Sequence, residues 1–123
     1  MARIKFEFEG QTLEAETLGT PTAQAILAAL PQEARVNTWG DEVYFDSGVD
    51  LPREKDARAL VNAGEIAYWP DGAAIAIGFG RTPISGPGEI RLASPCNIWA
   101  KAIGDAKILK SVKAGSRVRV SRA

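Results

Sequence analysis

Asn97-Ile-Trp-Ala-Lys-Ala-Ile-Gly104, Asp105-Ala-Lys-Ile-Leu-Lys-Ser-Val112 and Ser116-Arg-Val-Arg-Val120 close the chain in that order, and the order decides the fold. The first segment reads as a strand. In the second, Asp105 stands where it can cap a helix. Ile108, Leu109 and Val112 supply the buried side of that helix, Lys107, Lys110 and Lys113 its solvated side, and Gly115 suits its stop. In the third, Val118 and Val120 alternate with Arg117 and Arg119, the period of a half-buried strand. The opening of the chain has matching parts. Ile4, Phe6 and Phe8 alternate with Arg3, Lys5, Glu7 and Glu9, and Thr12–Thr17 follows with Leu13 and Ala15 on one face. Thr20 can then cap a helix with Pro21 at its first position, where a missing N–H costs nothing. Ala23, Ile26, Leu27 and Leu30 form its buried stripe, and Pro31 helps to end it. The alternation at both ends predicts that Ile4–Phe8 and Arg117–Val120 pair antiparallel, with Glu7 or Glu9 near Arg117 or Arg119.

Between the ends lie hairpin-like segments. Ala34–Trp39 and Glu42–Asp46 flank Gly40-Asp41, and a glycine at the first loop position suits a two-residue type II′ turn. That register sets Trp39 opposite Glu42, Asn37 opposite Tyr44 and Arg35 opposite Asp46, with Val36, Thr38, Val43 and Phe45 on the inner face. Asp46–Lys55 reads as a loop and Ala57–Val61 as a strand, although Arg53–Val61 alone also fits a helical turn. Glu65–Trp69 and Ala73–Phe79 flank Pro70-Asp71-Gly72, which predicts a three-residue loop with Gly72 left-handed. Ala74, Ala76 and Gly78 then share a face with Ile66 and Tyr68. Both faces of Ala73–Phe79 are apolar or small, the mark of a covered strand. Gly80–Pro95 is the least regular part, and Ser85-Gly86-Pro87-Gly88 is a loop.

Composition narrows the function classes. The chain has 123 residues, 46% of them hydrophobic, enough for one domain with its own core. No apolar run approaches the roughly 20 residues of a membrane span, and the N-terminus lacks the apolar region of a secretory signal. One cysteine, Cys96, rules out an internal disulfide, and with these features it predicts the cytoplasm. Histidine is absent, so the commonest general base and the commonest metal ligand are missing. No metal and no cofactor are expected. Net charge is zero but segregated: residues 1–71 hold thirteen acids and six bases, residues 72–123 two acids and nine bases. In one compact barrel the two sets interleave, so this is not the basic arm of a nucleic-acid binder.

Gly19-Thr-Pro-Thr-Ala-Gln-Ala-Ile-Leu-Ala-Ala-Leu30, Gly64–Gly72 with Ala73–Gly80, and Ile98–Val112 resemble a helix, a central hairpin and a strand–helix end of the cyclophilins. The chain resembles more closely the small single-domain prokaryotic cyclophilin-like family. Val36–Phe45, Gly64–Gly72, Gly78-Phe-Gly-Arg-Thr-Pro83 and Asn97–Asp105 carry that likeness in order along nearly the whole chain. The resemblance implies a mainly β fold, a closed antiparallel barrel of about eight strands capped by two short helices, and no established activity. The residues of a prolyl isomerase do not carry over. The region matching the cyclophilin glutamine reads Ala73-Ala74-Ile75-Ala76, Ile84–Pro95 holds no aromatic residue, and neither Arg35 nor Arg58 sits in the matching arginine motif.

The candidate ligand-binding residues are therefore Asn37, Trp39, Tyr44, Tyr68 and Trp69, an aromatic set on the hairpins, with Phe79, Arg81 and Thr82 from Gly78–Pro83 as an anion cradle. No catalytic and no metal-binding residue is assigned. The competing reading makes some of these aromatics core and the two glycines a bulge. Asp46-Ser-Gly-Val-Asp50 is too short for a calcium loop, and Cys96 reads as an inert thiol. The first functional expectation is a non-catalytic binding domain for an unidentified small molecule or peptide. The alternatives are a weak prolyl isomerase and an assembly module that pairs through its outer hairpin face as a homodimer or beside an enzyme.

Overall fold

The computed structural model describes residues 1–123. Its strands are β1 (Arg3–Phe8), β2 (Gln11–Thr17), β3 (Gln32–Arg35), β4 (Asn37–Thr38), β5 (Glu42–Asp46), β6 (Arg58–Val61), β7 (Glu65–Trp69), β8 (Ala74–Gly78), β9 (Ile90–Ile103) and β10 (Arg117–Arg122). The helix α1 spans Pro21–Ala29, and 3-10 turns cover Pro70–Gly72 and Ala106–Ser111. The sheet runs β3-β10-β1-β2-β9-β7-β8-β5-β4, with β6 paired to β9 off this path. Its two end strands are continuous in the chain through Val36, so the antiparallel sheet is a nearly closed barrel. No helix is long and apolar enough to cross a membrane.

The ends behave as their patterns predict. Thr20 caps α1 by accepting from the Ala23 N–H at 3.1 Å, and Pro21 opens the helix. Ala23 and Ile26 are fully buried, with Leu27 and Leu30 packed against the core. Asp105 caps the 3-10 turn through the Lys107 N–H. β1 pairs β10 with Glu7 opposite Arg119, and Glu9 Oε2 accepts from the Arg117 N–H at 2.7 Å. Arg119 also meets Glu33 of β3 at 3.0 Å, so β10, from the basic end of the chain, lies between β1 and β3 with Arg119 flanked by Glu7 and Glu33, and the two charge sets do interleave. Each such exposed pair contributes about 0–1 kcal/mol, so their value is in register rather than in stability.

Three expectations change, two of them in the hairpins. Arg35 does not face Asp46. The strand predicted over Ala34–Trp39 breaks at buried Val36, whose N–H and C=O turn to Ser116 and Gly115. Arg35 therefore pairs Arg117 across β10 and donates to the Gly115 carbonyl, while Asn37 does pair Tyr44. In the second hairpin the left-handed residue is Ala73 (φ 50°) and not Gly72. The loop is one residue longer, and the pairing is Trp69 with Ala74 and Tyr68 with Ile75. One residue of slip exchanges the two faces of a strand. Tyr68 and Ile66 therefore enter the barrel core, while Glu65, Ala67 and Trp69 face the other way with Ala74, Ala76 and Gly78. Third, Ile90–Pro95, read as irregular, is the first half of the long strand β9. Its pairing with β6 is itself irregular between Arg58 and Leu60, which lets Pro95 lie within the strand.

β9 divides the interior in two. The main core fills the barrel with Phe6, Phe8, Phe45 and Trp99 in edge-to-face contact. A smaller cluster of Val61, Ala67, Ala76, Leu92 and Cys96 lies on the outer side of the β5–β8–β7 wall, covered by β6 and the first half of β9.

Candidate functional site

The outer side of the wall is floored by small residues. Ala67 and Ala76 face each other there, and Tyr44 pairs Ala76 on the next strand. Gly78 completes the floor at the end of β8. A Cβ on Gly78 would stand 2.7 Å from Ile90 Cγ2, so only glycine lets the start of β9 settle on the sheet. The low floor and the covering strand leave a pocket of about 280 Å³. Trp39, Tyr44 and Trp69 form its aromatic wall, Leu92, Ala93 and Cys96 its β9 side, and Glu42 lies against it beside the floor. The size is near the lower end of the roughly 300–1,000 Å³ typical of small-molecule sites.

The aromatic rings are held in place. Tyr44 and Trp69 meet edge to face, with centroids 6.4 Å apart and an 81° angle. The Trp69 indole N–H donates to Ser94 Oγ at 2.7 Å, Ser94 donates to Asp71 Oδ2, and Arg53 meets Asp71 at 3.4 Å. Below the ring, a Cβ on Gly72 would lie 2.5 Å from Trp69 Cζ3. Gly72→Ala should therefore push the indole off Ser94 and cost about 1–3 kcal/mol, the range for an overpacked site. Urea unfolding together with tryptophan emission checks this. An unchanged midpoint and spectrum would show that Trp69 is not braced by Gly72.

Glu42 is the exceptional group. It is 6% exposed, and its Oε1 has no hydrogen-bond partner. It takes part in no ion pair. Burial alone pushes its carboxyl from 4.5 up to about 7. Cys96 beside it is a free, buried thiol pushed up to about 12 by burial first and by Glu42 second. At neutral pH that thiol is not a nucleophile. No three His, Cys, Asp or Glu side chains come together as a metal-binding group.

The sequence candidates divide between places. Trp39, Tyr44 and Trp69 converge on the pocket. Asn37 is exposed on β4 outside it. Tyr68 is fully buried on the opposite face, where its hydroxyl donates to the Val49 carbonyl and accepts from the Leu51 N–H, both at 2.9 Å. Phe79 belongs to the main core. Arg81 is exposed, and its carbonyl accepts from the Asp41 N–H. Thr82 is turned into its own loop, bonded to Ser85 and the Arg91 carbonyl. With the Phe79 and Thr82 N–H groups donating to Asp41 and Ser85, Gly78–Pro83 has two of its amides already committed. Glu42, Ala76, Leu92, Ala93 and Cys96 were not among the candidates. The signal for them was the row Ala67, Ala74, Ala76 and Gly78, an outer face too flat and apolar to stand uncovered.

A family model described as cyclophilin-like matches residues 2–121. The solution structure of the hypothetical protein AF2241 from Archaeoglobus fulgidus is similar at 38% identity with a TM-score of 0.85, over 99% of this chain and 95% of that one. No curated protein matches this chain.

Proposed function

Because the chain belongs to the cyclophilin-like family, whose fold alone implies no activity, we propose from its own pocket that it is a non-catalytic binding domain. It holds a small molecule, or one side chain of a peptide, between Trp39, Tyr44 and Trp69. The observation that carries this is the unpartnered Glu42 carboxyl beside an otherwise apolar pocket. A buried carboxyl without a partner is costly, and such groups concentrate at functional sites. Its free cysteine suits a reducing compartment, and the cytoplasm is the location we assign. Screening fragments by indole N–H NMR shifts tests the reading. Ligands should move the Trp39 and Trp69 signals and leave Trp99, fully buried in the barrel core, unmoved. Fragments that bind only elsewhere would overturn it.

The alternatives fare less well. An isomerase needs a donor that stabilises the twisted amide, and neither candidate arginine lines the pocket. Arg35 donates to the Gly115 carbonyl, and Arg58 forms a bidentate pair with Glu65. Uncatalysed prolyl rotation faces a barrier of about 18–20 kcal/mol. We expect no acceleration of proline-limited refolding at micromolar protein; strong acceleration lost on Arg35→Ala or Arg58→Ala would revive the enzyme. Assembly through the outer hairpin face has less surface to use, since β6 and β9 cover much of that face.

A further inference from the structure

We infer that the pocket takes an alkylated ammonium group, held against the Trp39, Tyr44 and Trp69 rings with the Glu42 carboxylate as its counter-charge. This rests on the binding-domain reading above and names the ligand class. Aromatic faces attract cations by their quadrupole, most strongly where water is excluded. The pocket supplies three such rings and, in Glu42, an acidic group with no arginine or lysine paired to it.

Competing ligand classes fit less well. An anion would meet Glu42 with no base paired to it. A divalent metal needs several oxygen ligands, and no group of acidic side chains gathers there. A primary ammonium brings three N–H donors into a mostly apolar space. A trimethylammonium has no donor to satisfy and presents apolar surface to the rings. The remaining rival is a neutral ligand that accepts a hydrogen bond from a protonated Glu42.

The two survivors respond oppositely to pH. Glu42 titrates near neutrality because it is buried. The ionisable groups around it are the Cys96 thiol on β9, the Tyr44 phenol on β5 and Asp41, its chain neighbour. The Asp71–Arg53 pair is felt at Cys96. β7 and β8 contribute Trp69 and Ala76, which do not titrate. A cation binds the ionised carboxylate, so its affinity rises with pH until Glu42 is fully charged. A neutral acceptor binds the protonated acid, so its affinity falls over the same window.

The probes are choline, its uncharged isostere 3,3-dimethylbutan-1-ol, ethanolamine and 3,3-dimethylbutanoate. Each is titrated into the intact protein near pH 5.5 and near pH 8.5, read by calorimetry and by the indole N–H shifts. Choline should bind at least about tenfold more tightly than the isostere or ethanolamine near pH 8.5, and should weaken by about tenfold or more near pH 5.5. Glu42→Gln should abolish that pH dependence and the preference over the isostere. Binding of the neutral or anionic probe as tight as choline would overturn the cation assignment while leaving the pocket as a binding site. Ethanolamine binding more tightly than choline would overturn the alkylated group. If no probe moves Trp39 or Trp69 while the fragment screen does, the cation inference fails alone. If neither does, both fail.

Discussion

Glu42→Gln should stabilise the protein by about 3 kcal/mol at pH 8 and by almost nothing at pH 4. The carboxyl titrates at about 7 when folded and at 4.5 when free. Between those values the unfolded chain has released a proton that the folded chain still holds. Stability therefore falls as pH rises through this window, and the full penalty is present above it. Glutamine keeps the shape of the protonated acid and has no charge to bury. The gain corresponds to a rise in Tm on the order of 10 °C at pH 8 for a domain of this size. Urea unfolding of both proteins at the two pH values checks it. A difference that does not change with pH, or a loss at pH 8, would show that Glu42 is solvated or paired. A group that weakens the free protein where a ligand would sit has the profile of a site held at the expense of stability.

Asn97→Ala should cost about 3–5 kcal/mol, because it strands several polar groups at once. Asn97 is fully buried at the outset of the barrel half of β9. Its Oδ1 accepts from the Glu54 N–H at 2.8 Å, and its Nδ2 donates to the Pro52 carbonyl and to Thr22 Oγ1, both at 3.0 Å. Thr22 in turn donates from its hydroxyl and its N–H to Glu54 Oε2 at the first turn of α1. One amide thus ties the β5–β6 connection to α1 and β9. Alanine leaves the Pro52 carbonyl and the Glu54 N–H with no partner. Asn97→Asp is the informative companion. It keeps the acceptor, loses both donors and brings a charge close to Glu54, so it should be as damaging near neutral pH and milder in acid. Urea midpoints within about 1 kcal/mol of wild type for both variants would mean that the connection is held by other contacts, such as Tyr68 beneath Val49 and Leu51.

The barrel was legible where local patterns agreed with tertiary pairing. Alternation in Ile4–Phe8 and Val118–Val120, and the caps at Thr20 and Asp105, are decided within a few residues and hold in the fold. The pocket was half legible. Trp39, Tyr44 and Trp69 were visible because aromatics on hairpins are conspicuous. Tyr68 is as conspicuous as Trp69, but adjacent residues of a strand point to opposite faces, so only one of the two can reach the pocket. Glu42 was hidden for a different reason. A lone acid on a strand reads as a solvent residue, and what covers it comes from β9, some fifty residues later. Nothing local to Glu42-Val-Tyr-Phe45 announces that cover.

The β7–β9 pairing skips one residue, with Ile66 opposite Ala100 but Ala67 opposite Ile98. Trp99 is the residue left over, and it and Ala100 both enter the barrel core. Upstream, even-numbered Leu92, Cys96 and Ile98 serve the outer cluster; downstream, even-numbered Ala100 and Ala102 serve the inner one. The bulge is thus a parity switch that lets one continuous strand serve two interiors. Length changes along β9 are then unequal in effect. Removing Trp99 would leave the sides of all its neighbours as they are, so the loss would be that of the buried indole and of the Trp99 carbonyl that accepts from the Leu18 N–H. Removing Asn97 would swap the sides on which Cys96 and Leu92 fall and strip the aromatic pocket of its β9 side. A deletion in this strand therefore keeps the division between the two interiors at one position and overturns it just two residues away.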